Sequence, residues 1–414
     1  TKLIKNSKYH ESYRFKKQIF SLLSKLKKIF FKLLLKLKIF KSPLIVLLGT
    51  HYNFNFKKYI YNKSWGRIKQ INPKRFNNQL IKVDKISRKN LINIQGENHL
   101  EDYIIKTLYY CFPKIFIESF NCHHDVYLDE ISNSSFKVII SENWISNIPN
   151  AIYCAISKEL NKTFICQEHA AMRNIEKNTT IWIEKSVSDK YLTTGWSSNL
   201  ENIFRGGFCC REIIPYKYQN NQNSILFVGH TRFPYLMELG PDAQNTSFKN
   251  ELMVIRTFIN KLPQRLKEKL IFRPRKEDFY WDVEKACDLH QIGIKTDYGD
   301  FHQSILKAKI VIIDHISTPL AEILLMNVPF ILLINAHTVI SKEYDAIFNK
   351  LHDCGIIHYT AESAINMLNE KYDNISNWWA QHERQDSINV FKHFCLGSSK
   401  SMENKLFQIL DSYA

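Results

Sequence analysis

Short apolar runs alternate with amphipathic stretches along most of the chain. Runs rich in Leu, Ile, Val and Phe predict buried strands, and stretches with an apolar residue every three or four positions predict helices. The predicted strands cover residues 44–50, 138–140, 163–166, 269–273 and 309–313, and a further strand with its loop covers 224–232. The predicted helices cover 104–110, 151–160 and 248–261. Strands and helices of this size in alternation indicate an α/β fold.

The segment from Lys309 to Leu333 has the clearest pattern. A β-branched run ends in Asp314-His315-Ile316-Ser317-Thr318, a stretch with helical spacing follows, and Asn327-Val328-Pro329 leads into a second apolar run. This order predicts a strand, a polar loop, a helix and a parallel strand. Open α/β sheets bind ligands at the carboxyl ends of their strands, and a helix amino terminus offers free N–H groups to an anion. The segment therefore predicts a phosphate or nucleotide pocket.

Residues 14–41 predict a long basic amphipathic helix that ends before Pro43. Phe, Leu and Ile recur at spacings of three and four, and lysines form the opposite stripe. Such a helix is typical of one that lies in the plane of an anionic membrane surface. Two alternatives stay open: the helix packs on the rest of the chain or on another copy, or it binds nucleic acid. Nucleic-acid binding is disfavoured because no zinc finger or RRM-like signature accompanies the charge.

The length and the composition favour two domains. At 414 residues the chain exceeds one ordinary core and fits two domains of about 150–200 residues. The polar stretch 215–223 lacks a helical period and is the best linker. We therefore predict a basic helix over 1–43, an amino-terminal domain over 44–219 and a carboxy-terminal domain over 220–414. The chain has neither a GxGxxG motif nor a P-loop, which disfavours dinucleotide oxidoreductases and kinases.

The net charge and the cysteines bear on the partners and on the cellular compartment of the protein. A net charge of +17 favours a polyanionic neighbour, although the abundance of Lys, Asn and Ile makes this signal unspecific. The nine cysteines form no CxxC pair, which predicts free thiols in a reducing cytoplasm rather than a zinc ribbon or a disulfide scaffold. The sequence shows no secretory signal and no apolar run long enough for a spanning helix.

Several candidate functional residues lie at the predicted strand ends of the second domain. Arginine forks, hydroxyls and a helix amino terminus suit a phosphodiester or diphosphate. The residues predicted to form this pocket are Gly229, His230, Arg232, Arg273, Arg275, Asp314, His315, Ser317, Thr318 and Glu322. Glu322 is a candidate partner for a ribose diol, although Ser317-Thr318-Pro319 with Glu322 is also typical of an ordinary helix cap.

In the first domain, Gln167-Glu168-His169-Ala170 follows a predicted strand. A carboxylate beside an imidazole is suited to general base catalysis, although the same residues are equally typical of a helix cap with a surface histidine. Weaker candidates are Ser141-Glu142-Asn143-Trp144 and His123-His124-Asp125. The latter resembles a metal pair but lacks a further ligand at a known spacing, so we expect no metal site.

Together these motifs resemble a group of bacterial GT-B transferases of surface-polysaccharide biosynthesis. More distantly they are similar to β-Kdo transferases and CDP-glycerol glycerophosphotransferases. The resemblance covers residues 140–335 and is carried by Gln167-Glu168-His169-Ala170, Ser188–Trp196, Arg273-Pro274-Arg275 with Asp278 and Trp281, Asp314-His315-x-Ser317-Thr318-x-x-x-Glu322 and Asn327-x-Pro329. One departure is clear: relatives usually carry Gln-His-Gly-Gly where this chain has Gln167-Glu168-His169-Ala170.

The resemblance implies two Rossmann-like domains that face each other across a cleft, with the donor held by the second domain. The expected function is a glycosyltransferase that moves a sugar from a nucleotide donor to a lipid-linked or cell-surface glycan. The expected donor is a CMP-activated acidic sugar such as Kdo or a related ulosonic acid. Glu168, His169 and His315 are the expected catalytic residues, and no cofactor is expected. The expected location is the cytoplasm, peripheral on the inner face of the bacterial inner membrane through residues 14–41, without a nucleic-acid partner.

Two alternatives follow from the same motifs. One is a CDP-glycerol or polyol-phosphate transferase of the same fold. The other is a degenerate transferase that acts as a non-catalytic scaffold, which the change at Glu168-His169-Ala170 favours.

Overall fold

A computed structural model describes residues 43–73, 82–142, 144–145, 147–176, 179–219, 222–231, 245–335 and 338–413. Its strands form two parallel sheets of six strands each. The predicted fold class, an α/β GT-B architecture of two Rossmann-like units, is confirmed. The amino-terminal helix predicted over residues 14–41 lies outside the described residues.

The first sheet is built from the first half of the chain. Its strands are β1 (Ile45–Leu48), β2 (Ile68–Ile71), β3 (Val138–Ser141), β4 (Thr163–Gln167), β5 (Lys190–Thr193) and β6 (Ile203–Arg205). Their spatial order is β2-β1-β3-β4-β5-β6. Strands β1 and β3 are buried on both faces, which explains why they read as uninterrupted apolar runs. The strand order reverses between β1 and β3, so a crevice forms at their carboxyl ends.

Seven helices flank this sheet within the described residues. They are Phe54–Lys63, Lys85–Ile92, His99–Cys111, Lys114–Ile117, Phe120–Ser132, Ile148–Glu159 and Thr179–Val187. Asn53 accepts a hydrogen bond from the Phe56 N–H and so caps the first of them. Asn147 caps Ile148–Glu159 in the same way and Pro149 lies in its first turn, where the missing proline N–H costs nothing. These caps fix where each helix begins.

The second sheet is also parallel and six-stranded, and it is built from the second half of the chain. Its strands are β7 (Ser224–Val228), β8 (Leu270–Arg273), β9 (Lys295–Thr296), β10 (Ala308–Ile313), β11 (Phe330–Leu333) and β12 (Ile357–His358). Their order is β12-β11-β10-β7-β8-β9. The strand order reverses between β7 and β10, which are paired in parallel with Val228 opposite Ile313. The polar loop after β10 therefore borders the switch point of this sheet.

The second half of the chain contains ten helices among the described residues. They are Asn245–Lys261, Gln264–Lys267, Val283–Ala286, Phe301–Lys307, Thr318–Met326, Asp345–Asp353, Ala361–Lys371, Ile375–Trp379, His382–Cys395 and Ser399–Ser412, with 3-10 turns at Lys342–Tyr344 and Tyr372–Asn374. Asn327 adopts a left-handed φ of 58° and ends Thr318–Met326, and asparagine tolerates this conformation better than most residues. Pro329 then begins the turn into β11.

The last helix returns to the first half of the chain. Met402, Leu406 and Ile409 of helix Ser399–Ser412 are buried in the same core cluster as β1 and Ile165 of β4. The returning segment crosses the first half where Gly195 pairs with Leu396 in an isolated bridge. A Cβ on Gly195 would lie 1.7 Å from the Gly397 nitrogen, so only glycine fits this crossing. The crossing ties the two halves together.

The predicted linker 215–223 falls between β6 and β7. The division at residue 219 itself stays a prediction, because the carboxy-terminal helix shares a core with the first sheet. In the described part of the chain, no helix is both long and apolar enough to cross a bilayer.

Candidate active site

A charged cluster lies at the switch point of the second sheet. It consists of His230, which follows β7, and Asp314 and His315, which follow β10. The Asp314 Oδ1 atom lies 3.0 Å from Nδ1 of His230 and 2.7 Å from Nδ1 of His315. The two imidazole rings are 4.7 Å apart between centroids. One buried carboxylate therefore holds two imidazoles at the edge where open sheets bind ligands.

His230 of this cluster is a buried cation. Its Nε2 atom lies 3.1 Å from Oε2 of Glu251, so a carboxylate faces each ring nitrogen. Burial by itself lowers the pKa of His230, but Asp314 and Glu251 outweigh burial and raise the pKa to about 9. Burial likewise opposes the charge on Asp314, yet the imidazoles hold the pKa of that carboxyl well below its usual range. The cluster is thus a fixed arrangement of charges at neutral pH.

The helix that follows β10 begins with an unused hydroxyl. Ser317 is the N-cap residue of Thr318–Met326, but its side chain makes no capping hydrogen bond. Ser317 and Thr318 are both partly exposed. A helix amino terminus carries free N–H groups and a partial positive charge. Hydroxyls and N–H groups together suit a phosphate group.

The predicted arginines are engaged elsewhere. The Arg273 guanidinium bonds Oδ2 of Asp297 at 2.5 Å and the Gly299 carbonyl at 2.8 Å. Arg275 reaches the Thr231 carbonyl at 3.3 Å. Among the described residues, neither guanidinium forms a hydrogen bond or ion pair with the Ser317-Thr318 pair. Their role in donor binding stays a prediction.

The remaining predicted donor residues are placed as follows. Arg232 lies outside the described residues. Gly229 follows β7 and packs so closely that a Cβ would lie 2.8 Å from the Phe272 ring, which gives this glycine a packing reason. Glu322 is buried, with Oε2 at 2.9 Å from Nε2 of His302 and Oε1 at 3.3 Å from Nε of Arg211. Since both oxygens already have partners, its role as a ribose ligand stays a prediction.

A second cluster of the same composition lies at the switch point of the first sheet. It consists of His51 after β1, Glu142 after β3 and His169 after β4. The Glu142 Oε1 atom lies 2.9 Å from Nδ1 of His51 and 3.4 Å from Nδ1 of His169. Its Oε2 atom accepts the His51 backbone N–H at 2.7 Å and the Gln167 amide at 3.2 Å. Each sheet therefore carries a His–carboxylate–His cluster at its switch point.

In the cluster of His51, Glu142 and His169, the imidazoles and the carboxylate stabilise each other's charged forms. The hydrogen bond to Glu142 raises the pKa of His51 above its ordinary value, and burial opposes that change. Burial alone raises the pKa of Glu142, but the two imidazoles and the His51 N–H outweigh burial and lower it. Both imidazoles are about half exposed, with 50% and 43% of the side chain accessible, whereas Glu142 is 1% exposed. A ligand in the cleft therefore meets the histidines and not the carboxylate.

Glu168 points away from this cluster. Its Oε2 atom accepts hydrogen bonds from the Thr194 N–H and hydroxyl, both at 2.8 Å, and from the Trp196 indole at 2.9 Å. Burial raises the pKa of its carboxyl. Side chains alternate along an extended chain, so Gln167 and His169 face Glu142 while Glu168 faces the neighbouring strand. Its predicted catalytic role stays untested, but its side chain is fully buried.

Residues 209–211 interact with both halves of the chain. Burial raises the pKa of the Cys210 thiol to about 12, and the carboxylates of Glu142 and Glu322 add to this effect from the two sides. The preceding Cys209 carbonyl accepts the Asn53 N–H at 2.9 Å, and the following Arg211 pairs with Glu322. The segment therefore contacts Asn53 of the first half and Glu322 of the second.

The sequence does not single out His51, and it indicates Glu142 only as a weak candidate for the site. The available signal was a polar residue straight after a buried strand, as at Asp314. The deciding fact is the strand order, which puts β1, β3 and β4 side by side. The partners Glu251 and His302 lie on helices whose packing the sequence pattern does not give.

Solved structures match the chain, and two of the three described next are glycosyltransferases by name. The MurG structure from Acinetobacter baumannii is 12% identical, with a TM-score of 0.39, and the match covers 85% of this chain and 98% of that one. The calicheamicin glycosyltransferase CalG4 is 8% identical, with a TM-score of 0.43 and coverages of 90% and 98%. SnogD from Streptomyces nogalater is 9% identical, with a TM-score of 0.43 and coverages of 89% and 100%.

No curated protein matches the sequence. A family model does match, under the description LIC12162 family transferase, and the match extends over residues 1–410. Since this is nearly the whole chain, the protein belongs to the LIC12162 family of transferases.

Proposed function

We propose that the protein is a glycosyltransferase that takes a nucleotide-activated sugar in the second domain and passes the sugar to an acceptor held by the first. The observation that carries the proposal is the switch point of the second sheet, where a helix with an unused Ser317 hydroxyl begins beside the His230–Asp314–His315 cluster. Membership in a family of transferases and a fold with two six-stranded parallel sheets support the same conclusion.

On the donor side, the diphosphate or phosphodiester lies at the start of helix Thr318–Met326. The hydroxyls of Ser317 and Thr318 and the helix N–H groups bind its oxygens. Asp314 holds His315 in place through Nδ1, and His315 assists the departing nucleotide. Fixed donors and charges stabilise the leaving group without rearrangement during the reaction.

On the acceptor side, the acceptor hydroxyl approaches the cluster of His51, Glu142 and His169. The bond between the anomeric carbon and the phosphate oxygen breaks, and a bond from that carbon to the acceptor oxygen forms. The acceptor proton is taken up at this cluster, and the nucleotide leaves with the bonding electrons. His169 keeps the role that the sequence predicts for it, in the company of His51 and Glu142 rather than Glu168.

The finer identity of the substrates rests on the family resemblance. We propose a CMP-activated acidic sugar, Kdo or a related ulosonic acid, as donor and a lipid-linked or cell-surface glycan of capsule or lipopolysaccharide as acceptor. A panel of CMP, CDP, UDP and GDP donors, read by mass spectrometry of the acceptor, distinguishes this donor from CDP-glycerol. Nucleotide binding without turnover over a broad acceptor panel would indicate a scaffold instead of an enzyme.

We also propose that the protein is cytoplasmic and lies against the inner face of the inner membrane. The support is the basic amphipathic pattern of residues 14–41 together with a net charge of +17. Lysines on one side and apolar residues on the other suit an anionic bilayer surface.

A variant on the donor side and a variant on the acceptor side should affect donor binding and sugar transfer differently. Ser317→Ala should weaken donor binding by about 10- to 100-fold, because one hydrogen bond to a charged group is lost. Glu142→Gln should leave donor binding unchanged and slow transfer by at least about 100-fold, because the acceptor cluster loses its charge. Calorimetry with the nucleotide and a transfer assay measure the two quantities separately.

A matched control is Ser398→Ala. Ser398 is also an N-cap serine, but its side chain does accept a hydrogen bond, from the Ser401 N–H. Its loss should cost about 1 kcal/mol of stability and leave donor binding unchanged, whereas Ser317→Ala should leave stability unchanged. Unchanged donor affinity in Ser317→Ala would show that the donor binds elsewhere.

A further inference from the structure

We propose that His51, Glu142 and His169 bind one divalent transition-metal ion of zinc-like chemistry. Two imidazole nitrogens and one carboxylate oxygen converge here from three different strand ends, and the three ligand atoms lie within 4.8 Å of one another. Imidazole and carboxylate are ordinary zinc ligands, and two histidines with one glutamate form one of the common three-ligand zinc sites.

The distances fit ligands that share an ion. Two ligand atoms that are each about 2.0–2.1 Å from zinc lie roughly 3.4 Å apart at the tetrahedral angle and about 2.9 Å apart at a right angle. The Glu142 Oε1 atom is 3.4 Å from Nδ1 of His169 and 2.9 Å from Nδ1 of His51. Each imidazole therefore lies at a distance from the carboxylate that suits two ligands of one ion.

Hydrogen bonds alone leave this cluster incomplete. Nδ1 of His169 is buried and has no hydrogen-bond partner among the described residues. Buried polar atoms nearly always have a partner, and an ion would satisfy this nitrogen. Nδ1 is also the His169 atom that faces the carboxylate, at 3.4 Å.

The carboxylate is oriented from behind, as metal ligands usually are. Its Oε2 atom is bound by the His51 backbone N–H and by the Gln167 amide, so Oε1 turns toward the two imidazoles. Partners of this kind fix the ligand and tune its affinity. Both histidines are half exposed, so an ion can enter from the cleft and keep an open coordination position.

The cluster of His230, Asp314 and His315 also brings two imidazoles and a carboxylate together, but one of its imidazoles has different surroundings. A carboxylate faces each ring nitrogen of His230, Asp314 at Nδ1 and Glu251 at Nε2. Two flanking carboxylates favour the protonated form of this imidazole, and a protonated imidazole has no lone pair left for a metal. The comparison confines the proposal to the first sheet.

The ion would give the acceptor side a specific chemistry. An alcohol bound at the open position would lose its proton more easily, because zinc lowers the pKa of a bound hydroxyl. This step rests on the proposed glycosyl transfer, whereas the binding of the ion does not.

The test uses the full chain after treatment with a chelator. Addition of Co²⁺, which reports tetrahedral nitrogen and oxygen ligands through its visible absorption, should give one bound ion per chain, and Zn²⁺ should displace it. Glu142→Gln and His169→Asn should each weaken Zn²⁺ binding, measured by calorimetry, by at least about tenfold, since loss even of a metal ligand's outer partner costs 10- to 100-fold. His290→Asn is the matched control, because His290 is an exposed histidine beside a carboxylate, Glu284, outside the cluster.

Each outcome decides the proposal. A Co²⁺ spectrum that His169→Asn abolishes and His290→Asn preserves supports it, even if Glu142→Gln fails to fold. Absence of stoichiometric Co²⁺ or Zn²⁺ binding, or equal affinity in His169→Asn and the parent protein, overturns it. Transfer activity that persists in chelator without bound ion would overturn the ion's part in activating the acceptor and leave the proposed transferase function intact.

Discussion

Raising the pH through the pKa of His230 should weaken the fold, and the size of the effect follows from the structure. His230 is 11% exposed at the side chain and is paired with Asp314 and Glu251. These carboxylates hold the pKa at about 9, against an ordinary value of 6.5. A pKa that folding raises stabilises the folded state fully below the unfolded value. The contribution is then lost as the pH rises through the folded value.

The expected loss is substantial for a single group. Each unit of pKa corresponds to about 1.4 kcal/mol, so the difference between 6.5 and about 9 corresponds to about 3.5 kcal/mol. Most of this loss falls between about pH 6.5 and about pH 9. Buried thiols such as Cys154 and Cys287, whose pKa burial raises to about 12, add a loss only at higher pH, because their unfolded forms titrate near 9.

The assay is urea unfolding at steps from about pH 6 to about pH 9, in the parent protein and in His230→Gln. The free energy of unfolding of the parent should fall by about 3 kcal/mol more than that of the variant over this range. His290→Asn, an exposed histidine, should follow the parent. Parallel curves for the parent and His230→Gln would refute the charged His230–Asp314 arrangement.

Three further predictions concern other parts of the chain. Ala170 has a left-handed φ of 63°, so Ala170→Gly should raise the free energy of unfolding by about 0.5–1 kcal/mol; the buried neighbour Ala171 is the control, and Ala171→Gly should lower it. Gly195→Ala should lower the free energy of unfolding by more than about 3 kcal/mol, because the new Cβ would lie 1.7 Å from a backbone atom. Gly293→Ala is the control: Gly293 has a φ of 75° and no atom within 4 Å of an added Cβ, so its loss should be only about 1 kcal/mol. Equal losses in the two variants would contradict the tight crossing at Gly195. Deletion of residues 1–42 should release the protein from anionic liposomes in a flotation assay and leave its weak binding to neutral vesicles unchanged; undiminished binding to anionic vesicles would refute the membrane proposal.

The strands were predictable because parallel strands are buried on both faces. Ile45–Leu48 and Ala308–Ile313 read as continuous apolar runs, and the structure places their ends within about two residues of the prediction. Helices Lys85–Ile92 and Phe120–Ser132 gave no such signal, because much of their surface is exposed. Helix His99–Cys111 was predicted only over 104–110. It has no fully buried residue, so its apolar positions form no core-facing stripe that marks where the helix begins.

The candidate site was only half predictable, for a geometric reason. The sequence indicates which residues follow a strand, and so Asp314, His315 and His169 were found. It does not indicate which strands are neighbours, and so His51 was missed although its strand lies next to that of Glu142. Nor does it indicate which ion pairs form: Arg273 suits a phosphate by type, yet the structure pairs it with Asp297.

The central claim is that the nucleotide donor binds at the switch point of the second sheet and the acceptor hydroxyl at that of the first. A crystal structure of the protein with a bound nucleotide diphosphate tests this most directly. The phosphates should lie at the start of helix Thr318–Met326, within hydrogen-bond distance of Ser317 and beside His315. His51 and Glu142 should make no contact with the nucleotide. Phosphates bound at His51 and His169, or away from both clusters, would contradict it.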